Sequence, residues 1–260
     1  MPELLIEQRC AEALARSAGR MMLRASQGGF RVDPKGANDL VTEVDRDVEQ
    51  FLTGQIRKMF PDDEILGEEF GGQAHRSEKR HWLIDPIDGT LNFSHGVPLS
   101  CVSIALQDEG ISQVGVIYDP HRDEIFSARR GAGAHLNGAP MSVSDQETID
   151  DAVLVTGFRP TVPDDLTDNL SNFVAVTRRS RGVRRLGSAA LDLAYVACGR
   201  MDGFWEFGLH PWDTGAGYLL VEEAGGRVGD VQDEPYSGFE ESILATNGRI
   251  HDELLELLNA

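Results

Sequence analysis

The sequence contains few cysteines and few basic residues. Its three cysteines, Cys10, Cys101 and Cys198, are widely spaced and odd in number, which argues against a disulfide framework or a zinc motif. Each lies in an apolar stretch, so we expect three buried free thiols. Lys and Arg number 24 against 43 Asp and Glu, giving a formal net charge of -19. Such a chain lacks the basic footprint of nucleic-acid-binding proteins, and we expect no nucleic-acid partner.

The sequence also lacks a long hydrophobic run. No apolar stretch approaches the about 20 residues of a membrane-spanning helix. The opening MPELLIEQRC contains acidic residues and no basic region followed by an apolar one. We therefore expect no signal peptide, no membrane partner and a cytoplasmic location. The 260 residues are 41% hydrophobic and 26% charged, as in soluble globular proteins of one large domain or two small ones.

The hydrophobic pattern predicts helices first, strands in the middle and alternation at the end. Helices are predicted over 2–26 and 42–59, with a Gly-rich loop or short hairpin over 26–39 between them. Strands are predicted at 64–69, 81–85, 101–107, 114–120 and 124–130, followed by a hairpin at Asn137-Gly138 and strands at 152–158, 202–208, 226–231 and 242–246. Later helices are predicted near 163–178, at 188–199 and 211–224, and from 249. This succession predicts a layered α/β protein of the mixed α+β type, with a subdivision near residue 145 into halves 1–145 and 146–260 of one compact unit.

The stretch WLIDPIDGTLNF, residues 82–93, places Asp85 and Asp88 at the end of an apolar strand. Asp, Pro and Gly are all turn residues, so a turn is one explanation. The other is a cation bound between the two carboxylates. If Gly89 and Thr90 open a helix after the strand, their backbone N–H groups can also hold an anion.

Other acidic residues lie in similar places. Glu68 and Glu69 end the stretch ILGEEF, Asp213 lies in the first turn of a helix, and Asp39 and Asp45 flank the start of another. Each has a local explanation as a cap or a partner of the helix dipole. Together they offer the oxygen ligands that Mg²⁺ prefers, without the histidines and cysteines typical of zinc. Acidic ligands beside an anion pocket lined by the Gly89 and Thr90 amides point to metal-assisted phosphoryl chemistry.

Five stretches of the sequence resemble the inositol monophosphatase family. ILGEE (65–69), WLIDPIDGTLNF (82–93) and HPWDTGAGYLLVEEAGG (210–226) resemble its three signature blocks. DLVTEVD (39–45) and LGSAALDLAYVACG (186–199) resemble weaker blocks in the same order. The resemblance spans nearly the whole chain, and D-P-I-D-G-T with a downstream W-D is highly specific. It implies an αβαβα sandwich, a Mg²⁺-dependent, lithium-sensitive phosphoric monoester hydrolase and a homodimer.

The resemblance also implies a set of metal ligands. These are Glu68, Asp85, the carbonyl of Ile87, Asp88 and Asp213. Two or three Mg²⁺ ions are expected, with Mn²⁺ as a substitute, and Asp85 would bridge two of them. Such ions lower the pKa of water and stabilise a leaving alkoxide.

The implied reaction is in-line attack of water on a phosphate ester. Its catalytic residues would be Glu68 and Asp85, with Thr90 and Asp45 as the hydroxyl–carboxylate pair that orients the water. The amides of Gly89 and Thr90 would hold the phosphate. The segment from Lys35 to Asp39 resembles a mobile flap over the metals, and its glycine permits such motion.

The substrate-binding set implied by the resemblance includes residues for the alcohol. Glu206 would accept hydrogen bonds from hydroxyls of a polyol, although an exposed charge at a strand end is the alternative reading. The full set is Asp88, Gly89, Thr90, Gly187, Ser188, Ala189, Glu206 and Asp213. His210 is expected to have a structural role. The basic run RRSRGVRR (178–185) is expected to be a solvated helix end, with attraction of a phosphorylated substrate or a place in a dimer interface as alternatives.

Several functions share these motifs. Inositol monophosphate is the favoured substrate, and fructose-1,6-bisphosphate, histidinol phosphate and 3'-phosphoadenosine 5'-phosphate are alternatives on the same site. A function of another class is also open, because some bacterial members of the family act as partners of the transcription machinery. The negative charge of the chain argues against direct RNA contact in such a role.

Overall fold

The computed structural model describes residues 4–34, 40–71, 79–158 and 169–260. Its helices are α1 (Leu5–Gly28), α2 (Glu43–Met59), α3 (Thr90–Ser94), α4 (Asn169–Arg179), α5 (Ala189–Ala197), α6 (Pro211–Glu223) and α7 (His251–Leu258). Its strands are β1 (Val32–Pro34), β2 (Leu40–Thr42), β3 (Glu64–Gly67), β4 (His81–Asp88), β5 (Cys101–Asp108), β6 (Ile111–Asp119), β7 (Glu124–Arg129), β8 (Ala134–Leu136), β9 (Ala139–Pro140), β10 (Val153–Thr156), β11 (Gly182–Arg184), β12 (Gly203–Phe207), β13 (Arg227–Gly229) and β14 (Ser242–Thr246).

The strands form two large sheets. The first has seven strands in the order β3-β4-β5-β6-β7-β8-β9, in which β3 and β4 are parallel and the other pairs antiparallel. The second has five strands in the order β11-β10-β12-β14-β13. Its first three strands are parallel and its last two pairs antiparallel. A short hairpin of β1 and β2 stands apart from both.

Helices separate and cover the two sheets. Helices α1 and α2 pack on the first sheet, α5 and α6 lie between the sheets, and α4 and α7 cover the second. Three apolar clusters fill the spaces between these layers. The middle helices are largely enclosed: every residue of α5 is buried and all but Asp192 are apolar, as expected for a helix covered on both sides. The predicted mixed α+β class and αβαβα layering are thereby confirmed, whereas the division at residue 145 stays a prediction.

The structure corrects several predicted boundaries. Helix α1 extends to Gly28, so residues 26–28 are helical rather than part of a loop; Gly29, at φ 79°, then ends the helix. The predicted flap, Lys35–Asp39, lies outside the described residues, as do residues 163–168 of a predicted helix. The basic run is not one helix end: α4 stops at Arg179, and residues 182–184 form the edge strand β11.

Two other expectations about the surface can be compared with the structure. All three cysteines are free thiols, but only Cys101 is buried; Cys10 and Cys198 are partly exposed, so the prediction of three buried thiols was wrong. None of the helices in the four described ranges has the length and apolar character needed to cross a membrane.

Candidate active site

Strand β4 brings Asp85 and Asp88 to the same region. All eight of its residues are buried, and its pairing with β5 shifts register between these two aspartates. Pro86 has no N–H for the ladder, which is why regular pairing stops there. Such an irregularity redirects side chains. The Asp85 carboxylate folds back on the bend and accepts the Ile87 N–H at 3.0 Å.

A tight turn follows β4 and starts α3. Gly89 has φ +90°, and a Cβ there would lie 2.8 Å from the Leu99 carbonyl oxygen, so only glycine fits. The next residue, Thr90, has its hydroxyl 3.1 Å from Asp45 Oδ1 and 2.9 Å from the Ile87 carbonyl oxygen. Its single proton serves one of these acceptors at a time. Asp45 is fully buried in the first turn of α2, where it forms a capping box with Thr42.

Asp88 joins β4 to the N-terminus of α5. Its Oδ2 accepts the Ser188 hydroxyl at 2.6 Å and the Ala190 N–H at 2.6 Å. Ser188 is the N-cap of α5, where the helix dipole also favours a carboxylate. Asn92 strengthens the junction, since its Nδ2 donates to the Leu186 carbonyl at 2.8 Å. These contacts bring Gly187, Ser188 and Ala189 beside the β4 turn.

Three further acidic residues reach the site from separate elements. Asp213 lies in the first turn of α6, and its Oδ2 accepts the His210 N–H at 2.7 Å. Glu68 follows β3, and its N–H donates to the Ile84 carbonyl at 3.2 Å. Glu206 lies on β12 and is 7% exposed, so the alternative of an exposed strand-end charge was wrong.

These residues line one cavity of about 770 Å³. The predicted site residues on its wall are Glu68, Asp85, Ile87, Asp88, Gly89, Thr90, Gly187, Ser188, Ala189, Glu206 and Asp213. Asp45 stands behind Thr90 and touches the site through it. The structure thus brings the whole predicted set together, while the roles of its members stay predictions.

The carboxyl groups in the cavity are costly to charge. Burial raises the pKa of Asp85 well above its usual value, and the nearby Glu68, Asp88 and Asp213 raise it further. The pKa of Asp213 is also raised well above its usual value, mainly by burial and then by the nearby Asp88 and Glu68. Burial also raises the pKa of Asp88, against the hydrogen bonds from Ser188 and Ala190. Clustered carboxylates of this kind become stable as anions when a cation lies among them.

The donor set suits a hard cation in its chemistry. Its members are carboxylates and one backbone carbonyl, the oxygen ligands of Mg²⁺ and Ca²⁺. Within residues 4–34, 40–71, 79–158 and 169–260, no three acidic, His or Cys side chains already converge as a metal cage. Asp88 and Asp213 are hydrogen-bonded to N–H groups instead. The residues therefore fit a magnesium ion by type, charge and shared cavity rather than by a preformed cage.

The cavity is also lined by residues that were not predicted from the sequence. Asp192 on α5 is 1% exposed, and its Oδ1 accepts no hydrogen bond among the described residues. Burial and Glu206 raise its pKa well above the usual value. Asn92, Gly157 and Phe158 also line the cavity. Asp192 lies inside the stretch LGSAALDLAYVACG, where a charge in an otherwise apolar helix was the available signal. His210, expected to be structural, precedes α6 as its N-cap and also lines the cavity.

Solved structures share this architecture. The inositol monophosphatase from Anabaena superposes with a TM-score of 0.86 at 42% identity, covering 98% of this chain and 96% of that one. The suhB extragenic suppressor protein from Bartonella henselae superposes with a TM-score of 0.89 at 38% identity, covering 96% and 97%. The fold is therefore the one that these proteins have in common.

Sequence comparison agrees with the fold. Residues 7–260 match the Inositol monophosphatase family. The inositol-1-monophosphatase of Synechocystis sp. is 46% identical over 231 residues, which is 88% of this chain and 80% of that protein. The chain belongs to the inositol monophosphatase family. This membership supports phosphatase activity, and members of the family generally depend on Mg²⁺.

Proposed function

We propose that the protein is a Mg²⁺-dependent phosphomonoesterase that hydrolyses inositol monophosphate or a related small polyol phosphate. The observation that carries the proposal is the meeting of Glu68, Asp85, Asp88 and Asp213 in one cavity beside the Gly89–Thr90 turn. Two of the four residues lie on β4, and the others lie just after β3 and in the first turn of α6, so a purely local explanation of each does not account for their place on one cavity wall.

In this proposal, the four carboxylates and the Ile87 carbonyl oxygen would hold two or three magnesium ions. When bound, they supply Lewis-acid activation of water and stabilisation of the leaving alkoxide. Asp85, the most buried of the four carboxylates and with four acidic neighbours, would be the ligand shared between ions. Electrostatic repulsion supports this arrangement, because neighbouring carboxylates ionise together when positive charge lies beside them to compensate it.

Thr90 and Asp45 orient the attacking water. Asp45 Oδ1 accepts a hydrogen bond from the Thr90 hydroxyl, 3.1 Å away. The lone pairs of the Thr90 hydroxyl oxygen can then accept a hydrogen bond from water. The water lone pair can then point to phosphorus. The backbone N–H groups of Gly89 and Thr90 bind the phosphate oxygens, and correct orientation of the two reactants lowers the barrier.

The alcohol part of the substrate is bound by the second half of the chain. Glu206 accepts hydrogen bonds from hydroxyl groups, and the start of α5 at Gly187, Ser188 and Ala189 contributes polar backbone. A buried carboxylate favours a polyol with several hydroxyl donors over an apolar alcohol, because each of those hydroxyls can donate a hydrogen bond to it.

Gly157 offers a test of Glu206. A Cβ at Gly157 would collide with the Glu206 carboxylate, so the variant Gly157→Ala must move that side chain. We expect KM for inositol monophosphate to rise roughly 10-fold or more, the cost of losing a hydrogen bond to a charged group, with kcat less affected. Steady-state kinetics measure both constants. Gly54→Ala is the matched control, because a Cβ at Gly54 meets nothing within 4 Å, and it should behave as wild type.

The experiment that tests the proposed function is phosphate release from a substrate panel with Mg²⁺. The panel contains inositol monophosphate, fructose-1,6-bisphosphate, histidinol phosphate and 3'-phosphoadenosine 5'-phosphate. Hydrolysis of inositol monophosphate with the highest kcat/KM, lost with chelator and inhibited by lithium, supports the proposal. Faster hydrolysis of another member of the panel reassigns the substrate. Absence of phosphate release from all four contradicts the proposed phosphatase activity.

A regulatory function is the second candidate. The Nus factor SuhB of Pseudomonas aeruginosa is 47% identical over 222 residues, 83% of this chain and 82% of that protein. The basic run is partly neutralised here, since Arg179 pairs with Glu253 at 2.9 Å and Arg181 pairs with Asp151. We therefore propose a protein partner in transcription rather than direct RNA contact. Capture of the same partner by wild type and by inactive Asp88→Asn would support this role, and loss of capture in both would contradict it.

Two further properties belong to the proposal. The chain is proposed to act in the cytoplasm and to form a homodimer. Gel filtration with light scattering measures the second property, and a mass near that of one chain would contradict it.

A further inference from the structure

Helix α2 buries a glutamate that none of the steps above uses. Glu49 is 1% exposed and lies on the same face of the helix as Leu52 and Ile56. A buried carboxylate is strongly destabilising unless hydrogen bonds or a counter-charge compensate it. The partners of Glu49 therefore indicate what it does.

These partners are the backbone N–H groups of the turn after β3. Oε2 accepts the Glu69 N–H at 2.7 Å, and Oε1 accepts the Phe70 N–H at 2.9 Å. Both oxygens are thus bonded to the two residues that follow Glu68 in the chain. Charge-assisted hydrogen bonds of this kind are about twice as strong as neutral ones.

The same carboxylate also packs against the residue before Glu68. A Cβ at Gly67 would collide with Glu49, so glycine lets the carboxylate approach the backbone. The turn is closed by the Gly71 N–H, which donates to the Gly67 carbonyl at 3.1 Å, while the Glu68 N–H donates to Ile84. Glu49 therefore lies against the backbone before Glu68 and hydrogen-bonds the backbone after it.

We propose that Glu49 is the positioning residue for Glu68, holding the turn so that Glu68 faces the cation. The inference rests on the proposed function, in which Glu68 is a ligand. Asp45, one helical turn earlier on α2, holds Thr90 by the hydrogen bond described above. One helix thereby fixes the distance between a cation ligand and the pair that orients water.

The variant Glu49→Gln tests this role. The side chain keeps its shape, but its NH₂ group faces a backbone N–H, so one hydrogen bond is lost. We expect calorimetry to show Mn²⁺ binding weakened about 10–100-fold, as for other partners that orient metal ligands. Hydrogen exchange at the Glu69 and Phe70 amides should become faster. Glu43→Gln is the control: the carboxylate of this exposed residue of the same helix accepts a hydrogen bond from the Arg31 N–H, and Mn²⁺ affinity should not change.

A double-mutant cycle separates positioning from general stabilisation. If Glu49 acts through Glu68, adding Glu49→Gln to the Glu68→Gln variant should change Mn²⁺ affinity by no more than about 2-fold. A purely structural glutamate would weaken binding equally in both backgrounds. Should Glu49→Gln fail to fold, Glu49→Asp withdraws the carboxylate by one methylene and enters the same cycle.

The outcomes are distinct. Wild-type Mn²⁺ affinity in the Glu49 variants, or an equal loss with and without Glu68, overturns the positioning role while leaving the proposed function intact. Failure of the wild-type protein to bind Mn²⁺ contradicts the proposed function itself, and the positioning role falls with it. Coupling between the two glutamates supports both.

Discussion

The variant Asp85→Asn is expected to lower kcat/KM by roughly 10³-fold or more while raising the stability of the metal-free protein. The loss follows from removing the charge proposed to bridge the cations, since single electrostatic groups of an active site contribute factors of this size. The gain follows from burial and four acidic neighbours that disfavour the charged form of this residue. The asparagine oxygen can still accept the Ile87 N–H.

Thermal unfolding and steady-state kinetics measure the two effects. A change of 1 kcal/mol moves Tm by about 2–4 °C in a chain of this size, so an increase of a few degrees is the expected sign. Asp108→Asn, at the exposed end of β5, is the matched control and should change neither property. If Asp85→Asn kept more than a tenth of wild-type kcat/KM at saturating Mg²⁺, the ligand assignment would be wrong.

The stability of the metal-free protein is expected to fall as pH rises from about 5 to 8. The pKa values of Asp45, Asp85, Asp88, Asp192 and Asp213 are all raised, chiefly by burial. The folded state therefore holds more protons than the unfolded state, in which aspartate has a pKa near 3.9. Stability from these groups is full below that value and is lost as pH rises through the raised pKa values.

Two histidines act in the opposite direction. Burial lowers the pKa of His121 and of His251, so their contribution to stability grows as pH rises through about 6.5. Because two histidines oppose five aspartates, the aspartates should set the sign of the change in stability with pH. Tm measured by calorimetry in chelator checks the sign, and a Tm that is flat or rising between pH 5 and 8 would contradict it.

Magnesium should reverse this pH effect. At pH 7.5, Mg²⁺ at about 100 times its Kd is expected to raise Tm by roughly 5–10 °C, because binding to the folded state alone stabilises by about 2.7 kcal/mol. The increase should be much smaller at pH 5, where protons compete for the same carboxylates. Asp85→Asn serves as the control here, since it should lose most of the increase at pH 7.5. An equal effect of Mg²⁺ at both pH values would place its binding elsewhere.

Most helices and strands could be predicted from the sequence because the two have distinct hydrophobic periodicities. The strands at β4 to β7 are short apolar stretches with turn residues between them, and the hairpin at Asn137-Gly138 has both residues at positive φ, as its sequence suggests. Strand β11 was missed because it is short and lies within a run of arginines: it is an edge strand only partly buried. Edge strands commonly carry such charges.

Motifs identified the acidic residues of the site, but not what holds them. The bond between Asp88 and Ser188 joins residues 100 positions apart, which no local pattern reveals. Glu49 escaped notice because an acidic residue on an amphipathic helix usually faces solvent. Only the fold shows that this one faces a backbone turn.

The hydrogen bonds from Ser188 and Ala190 to Asp88 also make the proposed catalytic site depend on synthesis of the second half of the chain. A nascent polypeptide that has produced the seven-stranded sheet still lacks α5, β12 and α6, and with them Glu206 and Asp213. If these residues act as proposed, premature termination would yield an inert fragment rather than a partly active one, and hydrolysis would report that both sheets have assembled.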